Sequence, residues 1–113
     1  MPRAARPVYL DLLRIHLPIT GWVSILHRVS GVLLFGALPF GVWTLSLSLS
    51  GEAGFRRVAE AAGHPLAKLA VVALVWAFAH HAFAGLRHLA LDVHRGVDLA
   101  TARSSSLAVI AAA

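Results

Sequence analysis

Two long runs without a charged residue constrain the fold of this chain more than any other feature of its sequence. The first comprises residues 29–51 and the second residues 69–86. As an α-helix the first run rises about 34 Å, at about 1.5 Å per residue, which is enough to cross the hydrocarbon core of a bilayer. The sequence therefore predicts two transmembrane helices, over about residues 19–50 and 65–91.

The composition argues against a soluble fold. Apolar residues make up 58% of the 113 residues and charged residues only 13%, about half the share usual in a soluble domain. A soluble domain of this size buries only about 60–65% of its unfolded surface, too little to hide so many apolar side chains. The chain has no cysteine, which excludes disulfides and thiolate metal sites.

We therefore expect an all-α membrane protein, a transmembrane helical bundle that forms a single domain over residues 1–113. The polar residues 51–64 are expected to form a short loop between the two spans. The apolar tail, about residues 104–113, rises only about 15 Å as a helix and is too short to span a bilayer. It is expected to be the start of a truncated or incomplete third helix.

Basic residues flank the two predicted spans unevenly. They lie before the first span (Arg3, Arg6, Arg14, Arg28), between the spans (Arg56, Arg57, Lys68) and after the second span (Arg87, Arg95, Arg103). The excess on the side of both termini predicts an N-terminus on the cytoplasmic or matrix side. Cations at the ends of apolar runs suit anionic lipid head groups better than a nucleic acid.

Polar side chains gather at the start of the first span, in residues 24–31 (SILHRVSG). Ser24, His27, Arg28 and Gly31 recur at spacings of three and four, so a helix carries them on one face. Such groups are costly at membrane depth unless a ligand uses them. A ligand with carbonyl oxygens can accept a hydrogen bond from Ser24, and Arg28 can stabilise negative charge developing on it. Alternatively, Arg28 reaches lipid phosphate and Ser24 bonds to its own backbone.

Histidine is unusually frequent for so apolar a chain, with seven residues. His81, Gly85 and His88 follow one another at i, i+4 and i+7 along one stripe of the second span. An imidazole one turn from a glycine leaves room for the edge of a flat macrocycle, and haem iron binds imidazole readily. Since His81 and His88 lie on the same side of one helix, a second axial ligand would come from another helix. Arg87 and His88 can pair with haem propionates.

Other functions fit the same histidines. His80 and His81 can hydrogen-bond across a helix interface in a haem-free structural anchor, or relay protons in a small ion conductor. A zinc site is less favoured, because adjacent histidines point about 100° apart and no carboxylate or thiol lies on the stripe. Asp92 follows His88 by four residues and can pair with Arg95.

The two polar segments, in this order, resemble a known family. Residues 6–12 (RPVYLDL), 18–20 (PIT) and 24–31, then residues 81–89 (HAFAGLRHL) and Asp92, are similar to the cytochrome b membrane-anchor subunit of succinate dehydrogenase. The similarity extends over nearly the whole chain, to about residue 103. The chain departs from the family pattern at its third helix, because family members usually have three transmembrane helices.

The resemblance implies a subunit of respiratory complex II, which acts in electron transport and in the tricarboxylic acid cycle and has no activity as an isolated chain. Such a subunit pairs with a second small haem-binding anchor and contacts an iron–sulfur subunit, which joins it to a flavoprotein. Electrons from succinate pass through these subunits to ubiquinone. The resemblance thus implies haem b and ubiquinone as ligands, membrane lipid as surroundings and no nucleic acid as partner.

The resemblance also assigns residues. His81 matches the axial ligand of a haem b shared with the partner anchor, so the haem iron is its metal. Ser24 and Arg28 match residues of the ubiquinone pocket, and His27 matches a position near both ligands. Asp92 falls where the family has an acidic residue, for which a role in proton delivery is expected.

The resemblance leaves the direction of the reaction open, since a quinol:fumarate reductase anchor runs it in reverse. A bacterial inner membrane is the expected location, because residues 1–20 lack the long Ser- and Arg-rich presequence of imported precursors. The mitochondrial inner membrane is the alternative.

Overall fold

Four α-helices make up nearly all of the part of the chain that the computed structural model describes, residues 16–113. They are α1 (Ile19–Leu49), α2 (Glu52–Gly63), α3 (Pro65–Asp92) and α4 (Leu99–Ala112). By length and composition, α1 and α3 are able to cross a membrane. The prediction of an all-α fold with two long apolar helices is confirmed. Residues 6–12, which contribute to the family resemblance, lie outside the described range.

Prolines mark the start of both long helices. Pro18 is the N-cap of α1 and Pro65 is the first residue of α3, positions that tolerate a fixed φ and a missing N–H. The side chain of His64 caps α3, because its Nδ1 accepts a hydrogen bond from the N–H of Leu66 at 3.2 Å. Local sequence therefore sets where each long helix begins.

The helices pack through a narrow interior made of small side chains. Val23 of α1, Ala84 of α3 and Val109 of α4 form one buried apolar cluster. Most large apolar side chains face outward instead, as Phe35 does with 77% of its surface exposed. Such a surface is unfavourable in water and suits the hydrocarbon of a bilayer.

Most of the predicted loop, residues 51–64, is helical, because Glu52–Gly63 form α2. Glu52 and Arg56 stand one turn apart and form an ion pair at 2.6 Å, which supports a helix. Gly54 packs so closely on the end of α1 that a Cβ there would overlap the carbonyl oxygen of Leu47. The loop prediction was wrong because the charged residues of this polar segment recur at a helical spacing.

α2 also covers one side of an apolar groove of about 660 Å³ at this end of the bundle. The groove lies between α1, α2 and α3 and is lined by side chains that include Trp43, Val58 and Ala70. The pairing of the C-terminal half of α1 with the N-terminal half of α3 here means that the two long helices run antiparallel.

The third apolar helix, α4, begins at Leu99 and not at about residue 104. The carboxylate of Asp98 caps it, accepting hydrogen bonds from the backbone N–H of Thr101 at 2.9 Å and from its hydroxyl at 2.7 Å. These bonds hold the pKa of Asp98 below its ordinary value. With 14 residues, α4 rises about 21 Å, less than the thickness of the hydrocarbon core.

Candidate functional site

The antiparallel packing of α1 and α3 brings three imidazoles together, which we call the imidazole cluster: His27, His81 and His88. The rings of His27 and His81 are stacked, with centroids 4.2 Å apart and an angle of 9° between their planes. The ring of His88 meets that of His27 edge to face at 5.0 Å. The histidine stripe on α3 therefore faces α1 at His27.

Hydrogen bonds to a backbone carbonyl and a hydroxyl of α1 define the tautomer of His81. Its Nδ1 lies 3.1 Å from the carbonyl oxygen of His27 and 3.3 Å from Oγ of Ser30. The Ser30 hydroxyl itself donates to the same carbonyl at 2.9 Å. Because a carbonyl oxygen only accepts, the Nδ1 atom of His81 carries the hydrogen in this bond. A neutral His81 then has a free lone pair on Nε2, the form in which imidazole binds a metal ion.

Two glycines lie beside these imidazoles, and only at Gly31 would a Cβ come closer than an ordinary contact. A Cβ at Gly31 of α1 would lie 3.0 Å from Cε1 of His81 and 3.4 Å from its Nδ1. A Cβ at Gly85 of α3 would lie 3.5 Å from Nε2 of His27. Each glycine thus stands where the other helix presents an imidazole.

Ser24 and Arg28 do not join the imidazole cluster. Ser24 is half-buried and Arg28 is exposed. The residues predicted to share one face of α1 therefore do not all face α3, because His27 contacts α3 and Arg28 points outside the bundle. Within residues 16–113 the Ser24 hydroxyl has no hydrogen-bond partner, whereas the Ser30 and Thr44 hydroxyls bond to carbonyls three residues earlier. A hydrogen bond from Ser24 to its own backbone, the alternative to ligand binding, is therefore absent in this part of the chain.

Arg87 contacts α4. Its side chain is 8% exposed, and it donates from Nε to Oγ of Ser105 at 3.0 Å and from an Nη to the carbonyl of Ala102 at 3.3 Å. These bonds join α3 to the first half of α4. Arg87 lies on the stripe of α3 next to the one that carries His88, and its role in helix packing was not predicted from the sequence.

The remaining candidates occupy separate positions on α3. His80 is 1% exposed and stacks on Trp76 with centroids 5.4 Å apart, and among the described residues its Nε2 has no hydrogen-bond partner. Asp92 is exposed and is the last residue of α3. Sequence reasoning did not assign a role to Ser30, although its position three residues after His27 is a signal that the two share a helix face.

Comparison with known proteins identifies the family. A model described as succinate dehydrogenase/fumarate reductase transmembrane subunit matches residues 2–113. The chain belongs to this family. The resemblance inferred from the sequence is confirmed, and the bundle is that of a membrane subunit.

Named relatives from several sources agree with this assignment. The succinate dehydrogenase cytochrome b556 subunit of Coxiella burnetii is 38% identical over 91 residues, which cover 80% of this chain and 73% of the relative. The subunit of the same name from Paracoccus denitrificans is 29% identical over 109 residues, covering 96% and 84%. The mitochondrial cytochrome b560 subunit of Bos taurus is 32% identical over 102 residues, covering 84% and 60%.

In this transmembrane subunit, Ser105→Ala is expected to loosen α4 from α3. The change removes an acceptor from a guanidinium that is nearly buried, and such a bond contributes about 1.5–3 kcal/mol. Arg103 of α4 is exposed, so looser packing is expected to increase the rate of trypsin cleavage after this residue in the detergent-solubilised protein.

Ser104→Ala is the matched control, since the Ser104 hydroxyl bonds only within α4, to the carbonyl of Thr101 at 3.1 Å. Equal cleavage rates for the Ser104 and Ser105 variants would contradict a contribution of the Arg87–Ser105 contact to α4 packing.

Proposed function

We propose that this chain is the haem-binding membrane anchor of a succinate:quinone oxidoreductase and helps to form its ubiquinone-reduction site. The observation that carries the proposal is the hydrogen bond from Nδ1 of His81 to the backbone carbonyl of His27, at 3.1 Å. It holds the imidazole in the tautomer whose Nε2 is available to a metal ion. The cytochrome b names of the relatives supply the class of ligand.

The residues of the imidazole cluster fit a haem b. His81 would be the axial ligand from this chain, and the second anchor subunit would supply the other. His88 and the guanidinium donors of Arg87 that α4 leaves unused would hold the propionates, with His27 next to them. When bound, the haem supplies a one-electron carrier inside the membrane. The contribution of the chain is to fix the orientation of His81 and the packing around it.

Ser24 and Arg28 would bind ubiquinone. The Ser24 hydroxyl would donate a hydrogen bond to one quinone carbonyl. Within the described residues it makes no hydrogen bond to its own helix, so it is available for this contact. Arg28 would favour negative charge on the quinone oxygens during reduction, so catalysis here is positioning and electrostatic stabilisation. Asp92, exposed at the end of α3, would pass protons from the aqueous side.

The end of the bundle that carries Ser24, Arg28 and Asp92 would face the other subunits. Arg28, Arg95 and Arg103 are exposed there, and the excess of basic residues favours the cytoplasmic side of a bacterial inner membrane, or the mitochondrial matrix. An iron–sulfur subunit would dock at this end and link the anchor to the flavoprotein, while the second small anchor would pack beside the bundle.

The family description also covers fumarate reductase, whose anchor would use the same contacts with electrons moving from quinol to fumarate. The relatives described above are all named for succinate dehydrogenase, which favours succinate oxidation.

Replacing His81 tests the haem site. The purified wild-type complex is expected to show a b-type signal in its reduced-minus-oxidised absorbance spectrum, and His81→Gln is expected to lose or shift that signal because the ligand nitrogen is gone. His80→Gln removes the adjacent imidazole and is the control, with the wild-type spectrum expected. A wild-type complex without haem would leave a haem-free anchor and refute the haem part of the proposal.

Replacing Ser24 or Arg28 tests the quinone site. Ser24→Ala and Arg28→Leu are each expected to slow ubiquinone reduction about tenfold, since a lost contact of about 1.4 kcal/mol in the transition state gives that factor. Reduction of an artificial dye by the soluble subunits of the same preparations is expected to stay unchanged. Ser46→Ala and Arg56→Leu, at the other end of the bundle, are the matched controls, and quinone kinetics that do not differ from theirs would refute the assignment.

A further inference from the structure

We propose that Gly31 and Ser30 of α1 are positioning residues for His81, the histidine of α3. This inference rests on the proposed function, because His81 needs an exact orientation only if it binds a haem iron. It adds to that function the two residues of α1 that fix the orientation of the His81 imidazole.

Gly31 lies where a side chain would collide with His81. Carbon atoms in contact prefer a separation of about 3.5–4.0 Å, whereas a Cβ on Gly31 would lie 3.0 Å from Cε1 of His81. A methyl group there would push the imidazole away by several tenths of an ångström. The His27 ring, stacked on His81 with centroids 4.2 Å apart, already covers one face of the imidazole and limits the directions in which it can move.

Small residues on α1 also give His81 access to the backbone of that helix. A helix carbonyl points toward the next turn, so the side chains three and four residues later flank it. For the carbonyl of His27 these residues are Ser30 and Gly31, and both are small. The Nδ1 atom of His81 therefore reaches this oxygen at 3.1 Å from the side.

The Ser30 hydroxyl contacts both the His27 carbonyl and the His81 ring. Ser30 is fully buried, and its hydroxyl donates to the carbonyl of His27 at 2.9 Å while its oxygen lies 3.3 Å from Nδ1 of His81. The N–H of His81 thus has two acceptors on α1, which fixes both the tautomer and the rotation of the ring. Changing the groups that orient a metal-binding histidine typically costs about 10–100-fold in metal affinity.

Other glycines of α1 have no such neighbour. A Cβ at Gly36 would meet nothing within 4 Å, so Gly36→Ala changes the same residue type in the same helix without a contact. Because alanine favours helix over glycine by about 1 kcal/mol, weakening of α1 itself would not explain a loss caused by Gly31→Ala.

The experiment compares haem loss from the purified complete complex to excess apomyoglobin. Gly31→Ala is expected to lose haem at least tenfold faster than wild type, and Gly36→Ala at the wild-type rate. Ser30→Ala is expected to lose haem faster than Thr44→Ala, which removes a hydroxyl bonded to its own helix at 2.9 Å. Dye reduction by complex purified through an affinity tag on this chain confirms that each variant anchor still holds the soluble subunits.

Equal rates for Gly31→Ala and Gly36→Ala would overturn the inference and leave the proposed function standing. If the Gly31 variant does not assemble, the Ser30 variant decides, because it adds no atoms, and a rate equal to that of Thr44→Ala would overturn the inference. A wild-type complex without haem would instead refute the proposed function, and the inference with it.

Discussion

The hydrogen bond from His81 to the backbone of α1 joins the two spanning helices at the depth where their polar groups meet. A bond between polar groups is stronger in hydrocarbon than in water, and leaving either group unpaired there is costly. This bond therefore constrains the separation of α1 and α3 and the tautomer of His81. The ring of His27 stacked on His81 and the lack of a side chain at Gly31 belong to the same close approach.

Neighbouring stripes of α3 contact different helices. The stripe with His81, Gly85 and His88 faces α1 at His27 and forms the imidazole cluster. The stripe with Ala84 and Arg87 packs on α4, through the buried cluster and through hydrogen bonds to Ser105 and Ala102. These contacts attach the short helix α4 next to the proposed haem site, although α4 contributes no residue to the imidazole cluster.

The sequence alone predicts the parts of this structure that depend on one helix at a time. Length and apolar composition indicate two spans, and the 3.6-residue period places His81 and His88 on one stripe. α2 was not predicted from the sequence, because this segment is polar and contains no long apolar run. In the structure, the Glu52–Arg56 ion pair and the close contact of Gly54 with α1 support the helix. The contacts of Ser30 and Arg87 were also missed, since they depend on which faces of two helices meet, and the sequence period leaves that undetermined.

A structure of the purified complex by electron cryo-microscopy, at a resolution that defines imidazole orientation, tests the central claim most directly. We expect Nε2 of His81 to bind the haem iron and Nδ1 to lie within hydrogen-bonding distance of the His27 carbonyl oxygen, as it does at 3.1 Å here. A haem bound through another residue of this chain, or a His81 whose Nδ1 has left the backbone of α1, would contradict it.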